Sequence, residues 1–351
     1  MIRAGAGEPV PVLLLFGPTA SGKTAVLEQL SSGGGPFPPI EVISADSMQV
    51  YRGMDIGTAK PSRELRARLP HHLIDIRDPA EQFNAGEFVR LADEAVRDIA
   101  RRGKFPVVSG GTGFYLASFV LGLPPAPPSD AAIRLALKAE LREKGAGPLR
   151  AELATCDPES AARIHENDEY RLLRALEVLR LSGRPLSSFA RPLPGGAPRR
   201  EYRFFIAGLA RPREELYRLI NERCALMFRS GLPGEVRRLF EAGCRPEDPG
   251  MKAIGYREFF VSDPEADGAA EGAGTAGPGR GEAALKPGES RGWRLAGDLA
   301  AVEELVARNS RRYAKRQITY FASLPGACWI NAGEGAAARL EAELGRFLAI
   351  G

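Results

Sequence analysis

Val12-Leu13-Leu14-Leu15-Phe16-Gly17-Pro18-Thr19-Ala20-Ser21-Gly22-Lys23-Thr24 decides the fold. The first five residues are an apolar run of buried-strand length, and the next eight fit G-x-x-x-x-G-K-[ST]. A strand that ends in a Gly-rich turn and passes into a helix aims successive backbone N–H groups into one concavity, where they hold phosphate oxygens. Lys23 adds a point charge, and the Thr24 hydroxyl is placed for a bound Mg²⁺. The loop does not specify which polyphosphate it takes.

The pattern continues outward from that loop. Ile40 to Ser44 forms a second short strand ending at Asp46. Phe88, Leu91, Ala92, Ala95, Val96 and Ile99 fall at helical steps within 84–102, and Gly103 closes that helix. Phe105 to Ser109 is a third strand running into Gly110-Gly111-Thr112-Gly113. Strands alternating with helices, with the chemistry at strand ends, predict an α/β fold: a P-loop NTPase-like parallel sheet core.

The character changes at Leu123-Pro124-Pro125-Ala126-Pro127-Pro128, a stiff connection. Residues 129–183 are helical in pattern, and Arg191 to Arg200 is rich in Pro and Gly. Residues 124–200 therefore read as a helical insertion domain, with the core formed by 9–123 and 201–351. Tyr202 to Ala207 returns as a strand, followed by helices over 212–229, 233–242 and 298–321. Residues 263–292 hold almost no large apolar groups and read as a disordered surface insertion.

Composition sets bounds without deciding function. The chain has 351 residues, 44% of them apolar, enough for one large core plus a smaller unit. A net charge of +4 is a weak argument for nucleic acid, so the distribution of charge matters more. Cys156, Cys224, Cys244 and Cys328 are far apart, without C-x-x-C, which fits a reducing compartment rather than a disulfide or zinc framework. His71, His72 and His165 read as structural. No signal peptide or membrane-length apolar stretch is visible, so a cytoplasmic monomer with no membrane contact is expected.

Asp46, at a strand end beside the phosphate loop, can hold Mg²⁺ through water, act as a general base, or cap a helix. Gly110, Gly111 and Thr112 suit close backbone approach to a substrate more than water activation at a γ-phosphate. Arg171 and Arg174 lie three apart on one helix, and Arg134 lies on another. Arg311, Arg312, Lys315 and Arg316 form a basic ridge with Tyr313 and Gln317 beside it. Lys252, Tyr256 and Arg257 add two cations and an aromatic ring, groups that neutralise phosphates and stack on exposed bases. Arg223 sits in the middle of a helix.

Together these stretches resemble the tRNA dimethylallyltransferases. The resemblance runs over about residues 10–262 and 300–331. It is carried by Gly17 to Thr24, the long run Asp46 to Pro61, Pro70 to Asp75, Gly110 to Tyr115, Asn167-Asp168 with Arg171 and Arg174, Gly255-Tyr256-Arg257, and Tyr313 to Gln317. It implies transfer of a dimethylallyl group from dimethylallyl diphosphate to N6 of the adenine 3′ of the anticodon, in tRNAs reading codons that start with U. It implies Mg²⁺ at Thr24, Asp46 as the base, Thr112 positioning adenine or diphosphate, and Lys23 and Arg223 neutralising the leaving group. Gly17, Pro18, Thr19, Ala20, Ser21, Gly22, Lys23 and Thr24 would bind the diphosphate. The positions matching tRNA contacts are Asp46, Ser47, Met48, Gln49, Tyr51, Thr112, Arg134, Tyr170, Arg171, Leu172, Leu173, Arg174, Lys252, Ala253, Ile254, Gly255, Tyr256 and Arg257. The chain departs from the family pattern in the long 263–292 loop and lacks the Cys/His finger of some eukaryotic relatives.

Three alternatives stand beside this. A P-loop small-molecule kinase would consume ATP without tRNA. A prenyltransferase could act on free AMP. An RNA-binding protein with a vestigial loop would bind tRNA but release no diphosphate.

Overall fold

The computed structural model describes residues 8–33, 38–123, 125–189, 198–262, 292–322, 324 and 326–349. The chain divides into two compact units, Met1–Val120 with Ala197–Gly351, and Leu121–Gly196. The expected insertion at 263–292 lies outside the described residues except for Gly292.

In the larger unit the strands are β1 (Val10–Phe16), β2 (Ile40–Ser44), β3 (His71–His72), β4 (Phe105–Gly110), β5 (Tyr202–Ala210), β6 (Phe260–Ser262), β7 (Trp293–Leu295) and β8 (Cys328–Asn331). β6 and β7 pair as an antiparallel ribbon. The other six form one parallel sheet in the order β3-β2-β4-β1-β5-β8. Leu14 of β1 pairs with Val108 on one side and Ile206 on the other, so the strand that feeds the phosphate loop is central.

That position explains the unbroken apolar run, because a strand covered on both faces has no place for a polar side chain. Val12 to Phe16 are all 0% exposed. Leu13 and Leu15 pack with Val26, Leu27 and Leu30 of α1 (Lys23–Ser32) and with Leu340 and Leu344 of the last helix (Ala336–Ala349). Side chains alternate, so Phe16 serves the opposite face. There its ring lies 4.8 Å from Phe321, at the end of the Leu299–Phe321 helix, and 5.1 Å from Trp329, edge-on.

β1, β2, β4 and β5 fall where the sequence places strands, and the helix over Ala85–Arg101 starts with a capping box between Asn84 and Glu87. Gly103 takes φ +70°, the left-handed closing residue. The sequence reading missed β3, β8 and the helix over Ala336–Ala349. Two- and four-residue edge strands are too short to show a period, and their pairing is settled only by the neighbour they join.

The regular structure described in the smaller unit is all helical: helices over Ala131–Lys144, Ala146–Cys156, Pro158–Arg163 and Glu169–Ser182, and a 3₁₀ turn at Leu186–Ser188. Leu137, Leu149, Leu153, Leu172, Leu173 and Leu176 form its core. Two carboxylates of this unit, Asp157 and Glu177, are buried, and Glu177 gathers the larger set of partners. Glu177 accepts from Ser129 Oγ at 2.5 Å, the Asp130 amide at 2.9 Å, Arg134 at 2.9 Å and Arg174 at 2.8 Å. Burial pushes its pKa up, but hydrogen bonds from Ser129 and Arg174 and the charges of Arg174 and Arg134 outweigh this and hold it below the ordinary value.

Glu177→Ala is therefore expected to destabilise the unit by about 3–5 kcal/mol, because two guanidiniums lose their buried counter-charge. A depressed carboxyl stabilises the fold above the unfolded pKa, and that contribution fades as pH falls through the folded value. Urea unfolding followed by helix signal at neutral and acid pH checks both points. A loss below about 1 kcal/mol at neutral pH would reduce the cluster to the weight of a surface pair.

Candidate active site

A parallel sheet delivers the C-terminal ends of its strands to one edge. Here that edge gathers the loop after β1, Asp46 after β2, and Gly110 to Thr112 at the end of β4. The phosphate loop needs left-handed backbone, with Ala20 at φ +61° and Gly22 at φ +95°. Gly22 caps α1 without a side-chain hydrogen bond, which leaves the first-turn amides and the helix dipole to an anion. Lys23 donates from Nζ to the carbonyls of Gly17 at 2.8 Å and Pro18 at 3.0 Å. Burial, helped by the Arg223 charge and opposed by Asp46, pulls its pKa down to about 8. Thr24 is exposed in the first turn.

Asp46 holds its own turn. Its Oδ1 accepts the amides of Met48 at 2.8 Å and Gln49 at 3.3 Å. Oδ2 makes no hydrogen bond among the described residues. The capping reading and the catalytic reading thus divide between two oxygens of one carboxylate. Thr112 Oγ1 accepts the Ser47 amide at 3.0 Å and donates to Ser47 Oγ at 3.3 Å, so it fixes the residue beside Asp46. Close approach explains the glycines of this loop: a Cβ on Gly110 would stand 2.1 Å from the Ala45 carbonyl oxygen.

From these loops, Thr19, Asp46, Ser47 and Met48 face a cleft of about 280 Å³. Arg223, Lys252, Arg257 and Arg316 line it, with Asp46 as the one carboxylate in the lining. Ile220, Met227, Ile254 and Val306 give it an apolar side. The Arg223 guanidinium has no hydrogen bond or ion pair among the described residues. Burial lowers its pKa against the opposing pull of Asp46. Arg316 lies over the Tyr313 ring at 5.7 Å, and Arg257 pairs with Glu258 at 3.0 Å. Arg312, Lys315 and Arg316 are exposed around a shallow basic depression with Thr319 and Tyr320, and Arg311 instead bonds Asn221 at 2.5 Å.

Several other residues singled out in the sequence are committed to partners within the fold. Tyr256 is 0% exposed and donates to Glu235 at 2.6 Å, so its ring is not available for base stacking. Gln49 is spent inside the Asp46–Pro61 run, bonding Ser44 and the carbonyls of Thr58 and Ala59, and Tyr51 is buried. Lys60 anchors the same run to Asp55 at 2.7 Å and Asp75 at 2.5 Å. In the smaller unit, Leu172 and Leu173 point into the core. Arg174 and Arg134 are held by Glu177, so Arg171 and Arg174 do not present a shared free face. Arg171 is 70% exposed beside Asp168, and Tyr170 is exposed under the Arg134 guanidinium at 4.6 Å.

Sequence reasoning did not single out Glu235 at all. Its carboxylate accepts the amides of Asp55, Ile56 and Gly57 at 2.9 to 3.2 Å and thereby shapes the Asp46–Pro61 run. The signal was present: a glutamate on the apolar face of Leu232–Glu241, beside Leu232 and Val236, both buried. No cluster of three or more His, Cys, Asp or Glu side chains able to hold a metal occurs among the described residues. No helix among them is long and apolar enough to cross a membrane.

The IPP transferase family profile matches residues 49–324. The chain is 41% identical over 333 residues to a tRNA dimethylallyltransferase of Geobacter sulfurreducens, covering 93% of each sequence. It is similar in structure to the full-length tRNA isopentenylpyrophosphate transferase of Bacillus halodurans, with a TM-score of 0.61, 32% identity and 97% of both chains covered. A eukaryotic dimethylallyltransferase solved acting on tRNA shares the fold at a TM-score of 0.71 and 23% identity, over 97% of this chain and 80% of that one. The kinase alternative finds no support in these relatives.

Proposed function

The chain belongs to the IPP transferase family, and from that premise we propose that it transfers a dimethylallyl group from dimethylallyl diphosphate to N6 of the adenosine 3′ of the anticodon, in tRNAs reading codons that start with U. The observation that carries this reading is the cleft itself. One space is faced by Thr19 of the phosphate loop, an uncommitted guanidinium at Arg223, a half-free carboxylate at Asp46 and an apolar wall. That set suits an allylic diphosphate and a weak nitrogen nucleophile.

The chemistry follows from the groups present. The allylic C–O bond breaks and its electron pair leaves with the diphosphate, whose growing charge falls on the loop amides, Lys23 and Arg223. The N6 lone pair forms the new C–N bond. Its displaced proton goes to Asp46 Oδ2 and then to solvent. Thr112 keeps Asp46 in place through Ser47. The apolar wall of Ile220, Met227, Ile254 and Val306 covers the hydrocarbon chain. The adenine must leave its stack to enter.

Mg²⁺ fits this donor set as a diphosphate-borne ion, not a caged one. With no carboxylate cluster among the described residues, the Thr24 hydroxyl and the substrate oxygens would hold it. It would supply further charge neutralisation at the leaving group. The cytoplasm is the compartment proposed for this reaction, because it supplies the tRNA substrate.

The test mixes protein, Mg²⁺, dimethylallyl diphosphate and unmodified tRNA, then weighs the digested nucleosides. Adenosine gaining one dimethylallyl group, with diphosphate released, is expected. Product from AMP but not from tRNA, or ATP consumption alone, would replace this reading.

Arg171 is the phosphate contact expected from the smaller unit, because Arg134 and Arg174 are occupied. Arg171→Ala should weaken tRNA binding and reduce the slope of log affinity against log salt by about 1. An unchanged slope would return Arg171 to its local pairing with Asp168.

A further inference from the structure

The Leu299–Phe321 helix carries Gln317 on its buried face, between Ala314 and Phe321, and the side chain is 5% exposed. A polar amide on such a face needs partners. It finds two, from loops far apart in sequence. Its Oε1 accepts the Thr19 amide of the phosphate loop at 2.9 Å, and its Nε2 donates to the Gly111 carbonyl at 2.7 Å. Gly111 is one residue from Thr112, which holds Ser47 beside Asp46. A Cβ on Gly111 would stand 2.5 Å from Gln317 Nε2, so the loop is shaped to admit this amide.

The geometry points to Gln317 as a positioning residue for dimethylallyl transfer: it fixes the phosphate loop against the Thr112–Asp46 loop, and so sets the leaving group relative to the base. Gln317 is absent from the cleft lining and acts through Thr19 and Gly111, both of which it bonds. Attack of N6 on the allylic carbon requires donor and acceptor to be held in near-attack geometry. Displacement of about 1 Å costs roughly 10²-fold in rate. The inference rests on the proposed function, and its test keeps the two apart.

Gln317→Met retains side-chain length and packing but removes both hydrogen bonds. Gly111→Ala strains the same joint from the other side, with no change at position 317. For both variants, kcat for tRNA prenylation is expected to fall about 10- to 100-fold. The KM values for tRNA and dimethylallyl diphosphate should change little, and the thermal midpoint should remain near wild type. Exchange of the Thr19 amide, followed by hydrogen–deuterium exchange, should accelerate in Gln317→Met. Wild-type kcat in both variants, with the wild type active, would overturn the positioning role alone. So would a drop matched by loss of folded protein, or a rise confined to KM. An inactive wild type would overturn the proposed function and this inference with it.

Discussion

Asp46→Asn is expected to lower turnover by about two to four orders of magnitude while tRNA affinity stays near wild type. The substitution is chosen because Asp46 does two things with two oxygens. Oδ1 accepts the amides of Met48 and Gln49, and an asparagine oxygen can accept them equally. The turn should therefore survive. What is lost is a carboxylate able to receive the proton that leaves N6. Asp46→Ala removes the turn acceptor as well and adds a capping cost of about 1 kcal/mol, so it confounds the two roles. Single-turnover prenylation with saturating tRNA reads the chemical step. Near-normal turnover in Asp46→Asn would leave Asp46 as a cap and move the base elsewhere.

Lys23→Ala should cost about 10²- to 10³-fold in turnover and most of the affinity for inorganic diphosphate. The lysine is held between two demands. Without a ligand its ammonium leans on the Gly17 and Pro18 carbonyls, with Arg223 nearby, and its pKa is drawn down to about 8. The sign follows directly. A lysine whose folded pKa lies below its unfolded value disfavours folding while it is charged, and the cost is relieved as pH rises from about 8 towards 10.5. A diphosphate supplies the missing counter-charge and pulls the pKa back up. Binding above pH 8 must then take up a proton at Lys23, and affinity should decline as pH rises further. Calorimetry of inorganic diphosphate binding at pH 9, in buffers of different ionisation heat, measures that uptake. Wild type should take up more protons than Lys23→Ala. Equal uptake would mean that Lys23 already carries its charge and does not respond to the ligand.

The site was unevenly legible in the sequence. The phosphate loop could be read because its chemistry is local: the amides, the glycines and Lys23 are supplied by eight consecutive residues, and the strand before them is apolar at every position. Asp46 and Gly110 to Thr112 were legible as strand ends for the same reason. Tyr256 and Arg174 were misread as outward groups, since a residue type gives no hint of a buried partner. Their partners, Glu235 and Glu177, lie 21 residues and 3 residues away, and neither belonged to a recognisable motif. Each still left a trace as a charge on an otherwise apolar helix face.

The sequence by itself determined a parallel α/β core with a helical insertion, the strand–turn–helix at Gly17 to Thr24, and the family to which the chain belongs. Those properties depend on short-range order: hydrophobic period, turn chemistry and contiguous motifs. Only the tertiary structure decided which polar groups face the cleft and which are spent in holding it. Gln317 reaches Thr19 across 298 residues and Gly111 across 206, and Glu235 grips amides nearly 180 residues away. A buried hydrogen bond is satisfied by whichever group the fold brings within 3 Å, and sequence spacing carries no record of that approach.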